Sequence, residues 1–257
     1  MTAKIDKHLK RDTQDCYSRN NPSPEYLRLS ALYKEMHSPE KKDVKGTNVY
    51  PGRSLWPHIG FIKSLCDQYN VETILDYGAG KGQQYTDLWV KPMKRRIYFS
   101  IEKYWSARVT CYDAGNPEFN VWPEGQFDAV ISTDVLEHCP REDLSWIIGE
   151  MFEKAENFVF ANIACYPAKA LLPNGENAHA TIEKPEWWRE LIISVAEKYP
   201  DVDYYFLASE KKNDKAILIS NAPAPENVIK VGVLPSNILM AFSILCSQKL
   251  KSLFRKI

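Results

Sequence analysis

Thr73-Ile-Leu-Asp-Tyr-Gly-Ala-Gly-Lys-Gly82 is the stretch on which the fold turns. Its apolar start, Thr73 to Tyr77, predicts a short buried strand, and glycines follow at 78, 80 and 82. Glycine lets a backbone turn sharply and lets a ligand come close without a Cβ in the way. A helix-compatible stretch begins at Gln83, so the segment reads strand, turn, helix, with Asp76 at the strand end. The G-x-G-x-G spacing differs from the G-x-G-x-x-G of dinucleotide binders and from the G-x-x-x-x-G-K-[ST] phosphate loop.

Outward from this turn, strand and helix patterns alternate. Ile59, Ile62, Leu65 and Cys66 recur at helical spacing between Trp56 and Tyr69. Strands are predicted at Val109 to Tyr112, Phe127 to Ser132 and Asn157 to Ile163, with a helix from Glu142 to Lys154. Such alternation implies an α/β fold with a Rossmann-like, doubly wound, mostly parallel sheet. Asp203 to Ala208 and Lys215 to Asn221, joined by the polar Ser209 to Asp214, read as a hairpin, hence an antiparallel edge.

Three regions are expected. Residues 1–55 form a lid or cap, with Asn21-Pro22-Ser23-Pro24 breaking the chain before a helix from Glu25 to about Met36 and a lysine-rich loop from Ser38 to Gly46. Residues 56–221 form the core domain. Residues 222–257 form an amphipathic tail, whose apolar Ile238, Leu239, Met240, Phe242, Ile244 and Leu245 precede Lys249, Lys251, Arg255 and Lys256. The apolar run is too short to span a bilayer, and packing of the tail on the body or on a second subunit is expected ahead of contact with an anionic membrane surface.

Lysine plus arginine and aspartate plus glutamate both number 33 in the 257 residues, so no global field favours nucleic acid. The six cysteines lack CxxC spacing and read as buried thiols, neither a disulfide frame nor a metal site. The first residues contain no apolar secretory core, and cytoplasmic residence is the expectation.

The D-x-G-x-G-x-G pattern at Asp76, Gly78, Gly80 and Gly82 resembles the first motif of class I S-adenosylmethionine-dependent methyltransferases, in the manner of the type 11/12 domains. A second match follows in the right order: Phe127-Asp-Ala-Val-Ile-Ser-Thr-Asp-Val-Leu-Glu-His138 resembles that family's fourth-strand motif. The resemblance covers about Val71 to His138. It implies S-adenosyl-L-methionine as cofactor, held by Asp76, Tyr77, Gly78, Ala79, Gly80, Gly82, Thr133 and Asp134. An acidic side chain at the end of the second strand would hold the ribose; Asp113 is the first candidate, and Glu102, after Ile97 to Ile101, the alternative. Tyr112 or Phe119 is placed near the adenine. Little sequence separates Asp113 from the next strand, so the usual intervening helix and strand are abbreviated.

His138 is the leading candidate for a general base, His179 the second, and Asp134 shares their catalytic edge. The stretch from Ala164 to Thr181 is too long and polar for a plain connection. Its Tyr166, Lys169, Asn177 and His179, together with Arg53, are the candidate substrate contacts, and Trp187 and Trp188 either offer flat faces to a ligand or pin a helix to the sheet. The Y-P-A-K, N-A-H and E-W-W run resembles a group of bacterial and phage methyltransferase-like proteins. Together these features lead to an expectation of methyl transfer to a small polar acceptor, a sugar or glycan hydroxyl foremost. The alternatives are an NAD(P)-dependent oxidoreductase, which the glycine spacing fits poorly, and a catalytically degenerate methyltransferase-fold binding protein, against which Asp76 and the glycines argue.

Overall fold

The computed structural model describes residues 17–37, 52–86, 88–92, 97–211, 215–228 and 230–235. A six-stranded sheet forms the centre. Its strands are β1 (Thr73–Tyr77), β3 (Arg108–Tyr112), β4 (Phe127–Thr133), β5 (Ala155–Ala164), β6 (Asp203–Ser209) and β7 (Ile217–Ser220), in the order β3-β1-β4-β5-β6-β7. All neighbours pair in parallel except β6 and β7, which form the antiparallel edge the hairpin pattern predicts. A separate antiparallel pair joins β2 (Leu88–Pro92) to β8 (Val231–Pro235).

Helices cover both faces, and the two-residue period of the strands decides which side chains each receives. On one face Leu75, Val130, Val159 and Phe206 pack under α5 (Leu144–Lys154) and α6 (Pro185–Ala196). On the other, Ile74, Ile131, Phe158, Phe160 and Tyr205 pack under α2 (Ile59–Tyr69) and α4 (Ile101–Trp105). Trp188 is fully buried in the first of these layers, so it pins α6 to the sheet. Burying a side chain of that size contributes about 3 kcal/mol relative to leaving it exposed.

A one-turn helix, α3 (Gln83–Thr86), follows the glycine turn. Helix α1 (Pro24–His37) lies across the carboxyl end of the sheet. Ser23 caps it by accepting from Tyr26 N at 2.9 Å, and the same hydroxyl donates to Asp143 Oδ2 at the head of α5. Asp143 Oδ1 accepts from Ser23 N at 3.0 Å and from Trp146 Nε1 at 2.8 Å, so one buried carboxylate fastens α1 to the core.

Two regions differ from the sequence-based picture. Ile97 to Ile101 is not a strand: Tyr98 makes an isolated bridge to Val90, and Ile101 opens α4, capped by Ser100, whose Oγ accepts from Lys103 N at 3.1 Å. Glu102 is therefore helical, and its Oε1 accepts from Val109 N at 2.9 Å. Within the tail, Val231–Pro235 is a strand, because β2 offers it an edge that the sequence pattern did not reveal. The lysine-rich loop from 38 to 46 and the tail beyond 235 lie outside the described residues. Residues 113 to 126 contain neither helix nor strand, which leaves β3 at the sheet edge, in keeping with the abbreviated connection. The four cysteines among the described residues, Cys66, Cys111, Cys139 and Cys165, are free thiols. No described helix is long and apolar enough to cross a membrane.

Candidate functional site

After β1 the chain moves by way of α3, β2 and α4 to β3 on one side, then crosses to β4 on the other. The strand order reverses at β1, where an open α/β sheet leaves a crevice at its carboxyl ends. A cavity of about 320 Å³ occupies this position, within the usual size range of small-molecule sites.

The glycine turn builds one wall. Gly78 N and Ala79 N donate to Tyr112 O at 2.8 and 3.0 Å, tying the turn to the end of β3. Gly78 has φ +85°, and a Cβ there would lie 2.4 Å from a Val135 methyl. Gly80, at φ +59°, has nothing within 4 Å of where a Cβ would stand, so this part of the cavity wall carries no side chain. Asp113 accepts from Gly80 N and from Gly115 N, both at 2.8 Å, so its carboxylate is oriented by backbone on both sides of the crevice. Asn116 Nδ2 donates to Gly80 O at 2.7 Å.

Asp76 stands behind this wall and does not line the cavity. Its Oδ2 accepts from Tyr85 Oη at 2.7 Å and Gln84 Nε2 at 3.2 Å, while Oδ1 is buried without a hydrogen-bond partner. Burial pushes its pKa up to about 6, with hydrogen bonds from Tyr85 and Gln84 opposing the shift. Gly82 is also off the cavity, packed on Phe119.

The opposite wall comes from β4, the turn after it and α1. Thr133, Asp134, Val135 and His138 line the cavity from the core, and Tyr26, Leu29, Ser30 and Tyr33 line it from α1. Asp134 has φ +63°, a left-handed conformation that aspartate tolerates better than most residues and that recurs where side chains are aimed at ligands. His138 Nδ1 lies 2.7 Å from Ala178 O and 2.8 Å from Tyr33 Oη, and Tyr33 Oη donates to the same carbonyl. The His179 ring stands edge-on to that of His138, centroids 4.8 Å apart, and its Nδ1 lies 2.5 Å from Tyr166 O. Glu137 is wholly buried; Oε1 accepts from Ala164 N at 2.7 Å, and burial, then the Asp134 carboxylate, raise its pKa well above the ordinary range.

Of the residues singled out from sequence, Arg53, Tyr77, Gly78, Ala79, Gly80, Asp113, Thr133, Asp134 and His138 meet around this one cavity. Tyr112 lines it as well. His179 stands behind His138. Tyr166, Lys169 and Asn177 do not line it: Lys169 is exposed, and Asn177 bridges Ala168 through both backbone atoms at 2.9 Å and accepts from His179 N at 3.0 Å. Asn177 thus shapes the loop that carries His179. Glu102 is remote from the crevice, which leaves Asp113 as the acidic group at the end of β3.

Sequence reading missed the α1 contribution, although Tyr26, Leu29, Ser30 and Tyr33 fall at i, i+3, i+4 and i+7, one helical face. Arg19 was missed too. Its guanidinium lies 3.5 Å from the centroid of the Trp122 ring and donates to Tyr112 Oη at 2.5 Å and to both oxygens of Glu150. No local motif marks it, because its partners lie some ninety or more positions away.

No protein-family model matches this chain, and no curated protein matches it.

Proposed function

We propose that the cavity binds S-adenosyl-L-methionine and that the chain transfers its methyl group to a hydroxyl of a small polar acceptor such as a sugar. The observation that carries this reading is convergence: the side-chain-free wall at Gly80, the backbone-held carboxylate of Asp113 and the Thr133-Asp134 turn border a single cavity at the point of strand reversal. The donor set fits such a ligand. Gly80 offers a cradle that a Cβ would fill, and Asp113 offers a carboxylate suited to hydroxyl groups. When bound, the cofactor supplies a methyl made electrophilic by its sulfonium.

The chain's own work is positioning. Tyr77 and Tyr112, packed against each other at 5.3 Å between centroids, form the floor beside the glycine turn. Helix α1 roofs part of the cavity with Tyr26, Leu29 and Tyr33. A carbonyl oxygen has only lone pairs, so Nδ1 of His138 carries the proton it shares with Ala178 O, which places the basic lone pair on Nε2. On the acceptor side, Asp134 and His138 hold the hydroxyl, and His138 Nε2 takes its proton. In-line transfers gain most of their rate from such alignment. Cytoplasmic residence accords with the four free cysteines.

Calorimetry on the full chain tests the reading. Binding of S-adenosylhomocysteine at micromolar affinity, with none for NADH, is the expected result. The reverse pattern identifies an oxidoreductase, and binding without turnover of any hydroxyl acceptor identifies a binding protein.

A further inference from the structure

We infer that Asp134, His138 and His179 form a site for a divalent transition-metal cation in the wall of the cavity. One ligand atom from each lies within 4.8 Å of the other two. The three come from two parts of the chain, Asp134 and His138 from the turn after β4 and His179 from the loop before α6, so their meeting is a product of the tertiary fold.

Two features set this group apart from a chance encounter. The first is the orientation of the imidazoles. Nδ1 of His138 faces Ala178 O at 2.7 Å and Nδ1 of His179 faces Tyr166 O at 2.5 Å. Each carbonyl requires a proton on the nitrogen it faces, so in both rings the lone pair resides on Nε2. A backbone carbonyl on the far nitrogen is the support that metal-bound histidines characteristically have, since it fixes the tautomer and raises ligand basicity. The second is charge. Asp134 is a carboxylate that lines the cavity and is aimed into it from a left-handed backbone position. A cation supplies a positive partner for the Asp134 carboxylate that no described lysine or arginine provides.

Two imidazole nitrogens and one carboxylate oxygen suit manganese, iron, cobalt, nickel or zinc in the divalent state, and suit calcium poorly. With bonds of about 2.1 Å, tetrahedral ligands stand roughly 3.4 Å apart, so the three side chains draw closer on binding. Three protein ligands leave at least one position open. Because Asp134 and His138 line the cavity, that position faces the ligand space. An acceptor hydroxyl bound there gives up its proton to solvent more readily, in place of transfer to His138. This catalytic use rests on the methyltransferase reading; the cation site does not.

The test is titration of tag-free, EDTA-stripped full chain with Mn²⁺, Co²⁺ and Zn²⁺ by calorimetry, with Co²⁺ absorption spectra reporting the ligands. One cation per chain is expected, with affinity at least tenfold weaker in Asp134→Asn and in His138→Gln and loss of binding in the double variant His138→Gln/His179→Gln. Asp134→Asn keeps shape and backbone tolerance, and its melting temperature without metal should match the parent. Absence of saturable binding up to millimolar cation, or affinity unchanged in all these variants, overturns the inference. S-adenosylhomocysteine binding measured in EDTA separates the two proposals: cation binding without it leaves the metal site standing and removes the cofactor reading, whereas the opposite result does the reverse.

Discussion

The two walls of the cavity are built differently. The glycine wall is contiguous: Asp76 to Gly82 turn once, hydrogen-bond to Tyr112 and Asp113 across one strand, and leave almost no slack. The α1 wall is a composite in which Tyr33, Asp134, His138, Ala178 and His179 meet from three stretches of chain. Contiguous walls are held by backbone geometry and composite walls by side chains. Substitutions on the first should therefore act mainly on stability, and those on the second mainly on what the cavity accepts.

The sharpest way to break this contrast is Gly78→Ala. A Cβ at φ +85° lies 2.4 and 2.7 Å from the Val135 methyls, so strain and overpacking add. The expected loss is about 4 kcal/mol, with a fall in Tm on the order of 10 °C by calorimetry. A loss under about 1 kcal/mol would show that the glycine wall yields as easily as the other.

Asp76→Asn comes next, with the sign reversed. The folded-state pKa of about 6 stands above the ordinary value of 3.8, so the native chain holds the proton more tightly than the unfolded chain. Stability contributed by this group is lost as pH rises from about 4 through about 6, and the full cost is present above that. An amide carries no such cost. The variant should gain up to about 3 kcal/mol at pH 8 and nothing near pH 3.5, read from urea denaturation at both pH values. A pH-independent difference removes the titration argument.

Gly80→Ala separates shape from stability on one residue. The left-handed backbone costs alanine about 1 kcal/mol, yet the methyl points into open cavity. Melting should shift by a few degrees while S-adenosylhomocysteine affinity falls at least tenfold. Undiminished affinity moves the ligand away from the turn. The smallest effect belongs to Arg28→Ala on the composite side, where Arg28 bridges Glu25 and Glu176 at 2.7 Å in each case with all three side chains exposed. Such exposed pairs are among the weakest contributors to stability, so a loss that a melting experiment resolves would mark α1 as more dependent on its surface contacts than its buried Ser23 and Asp143 anchor implies.

The same contrast explains what was legible in the sequence. The β1 bounds, the β6 and β7 hairpin and the Gly78 to Gly82 turn rest on period, turn chemistry and spacing within a few residues, and the structure repeats them. Glu102 misled because an apolar run, Ile97 to Ile101, fits a strand as well as the lead into a helix, and only the Ser100 cap distinguishes them. The pairing of His138 with His179 was out of reach, since α5, β5 and an irregular loop lie between them and that loop follows no period. The β2 and β8 pair was missed for the same reason: two short runs, one ending in Pro92, gain strand structure only from each other.

That small second sheet also bears on the order in which the molecule is made. β2 directly follows the glycine turn and α3, but its partner is among the last described segments of the chain to be synthesised. Until Val231 to Pro235 emerge, Val90 has only its bridge to Tyr98, and β2 lacks its strand partner. The central sheet can assemble earlier, strand by strand, so a nascent chain stalled before β8 would carry a nearly complete core and every residue that lines the cavity, with β2 still waiting for its strand partner.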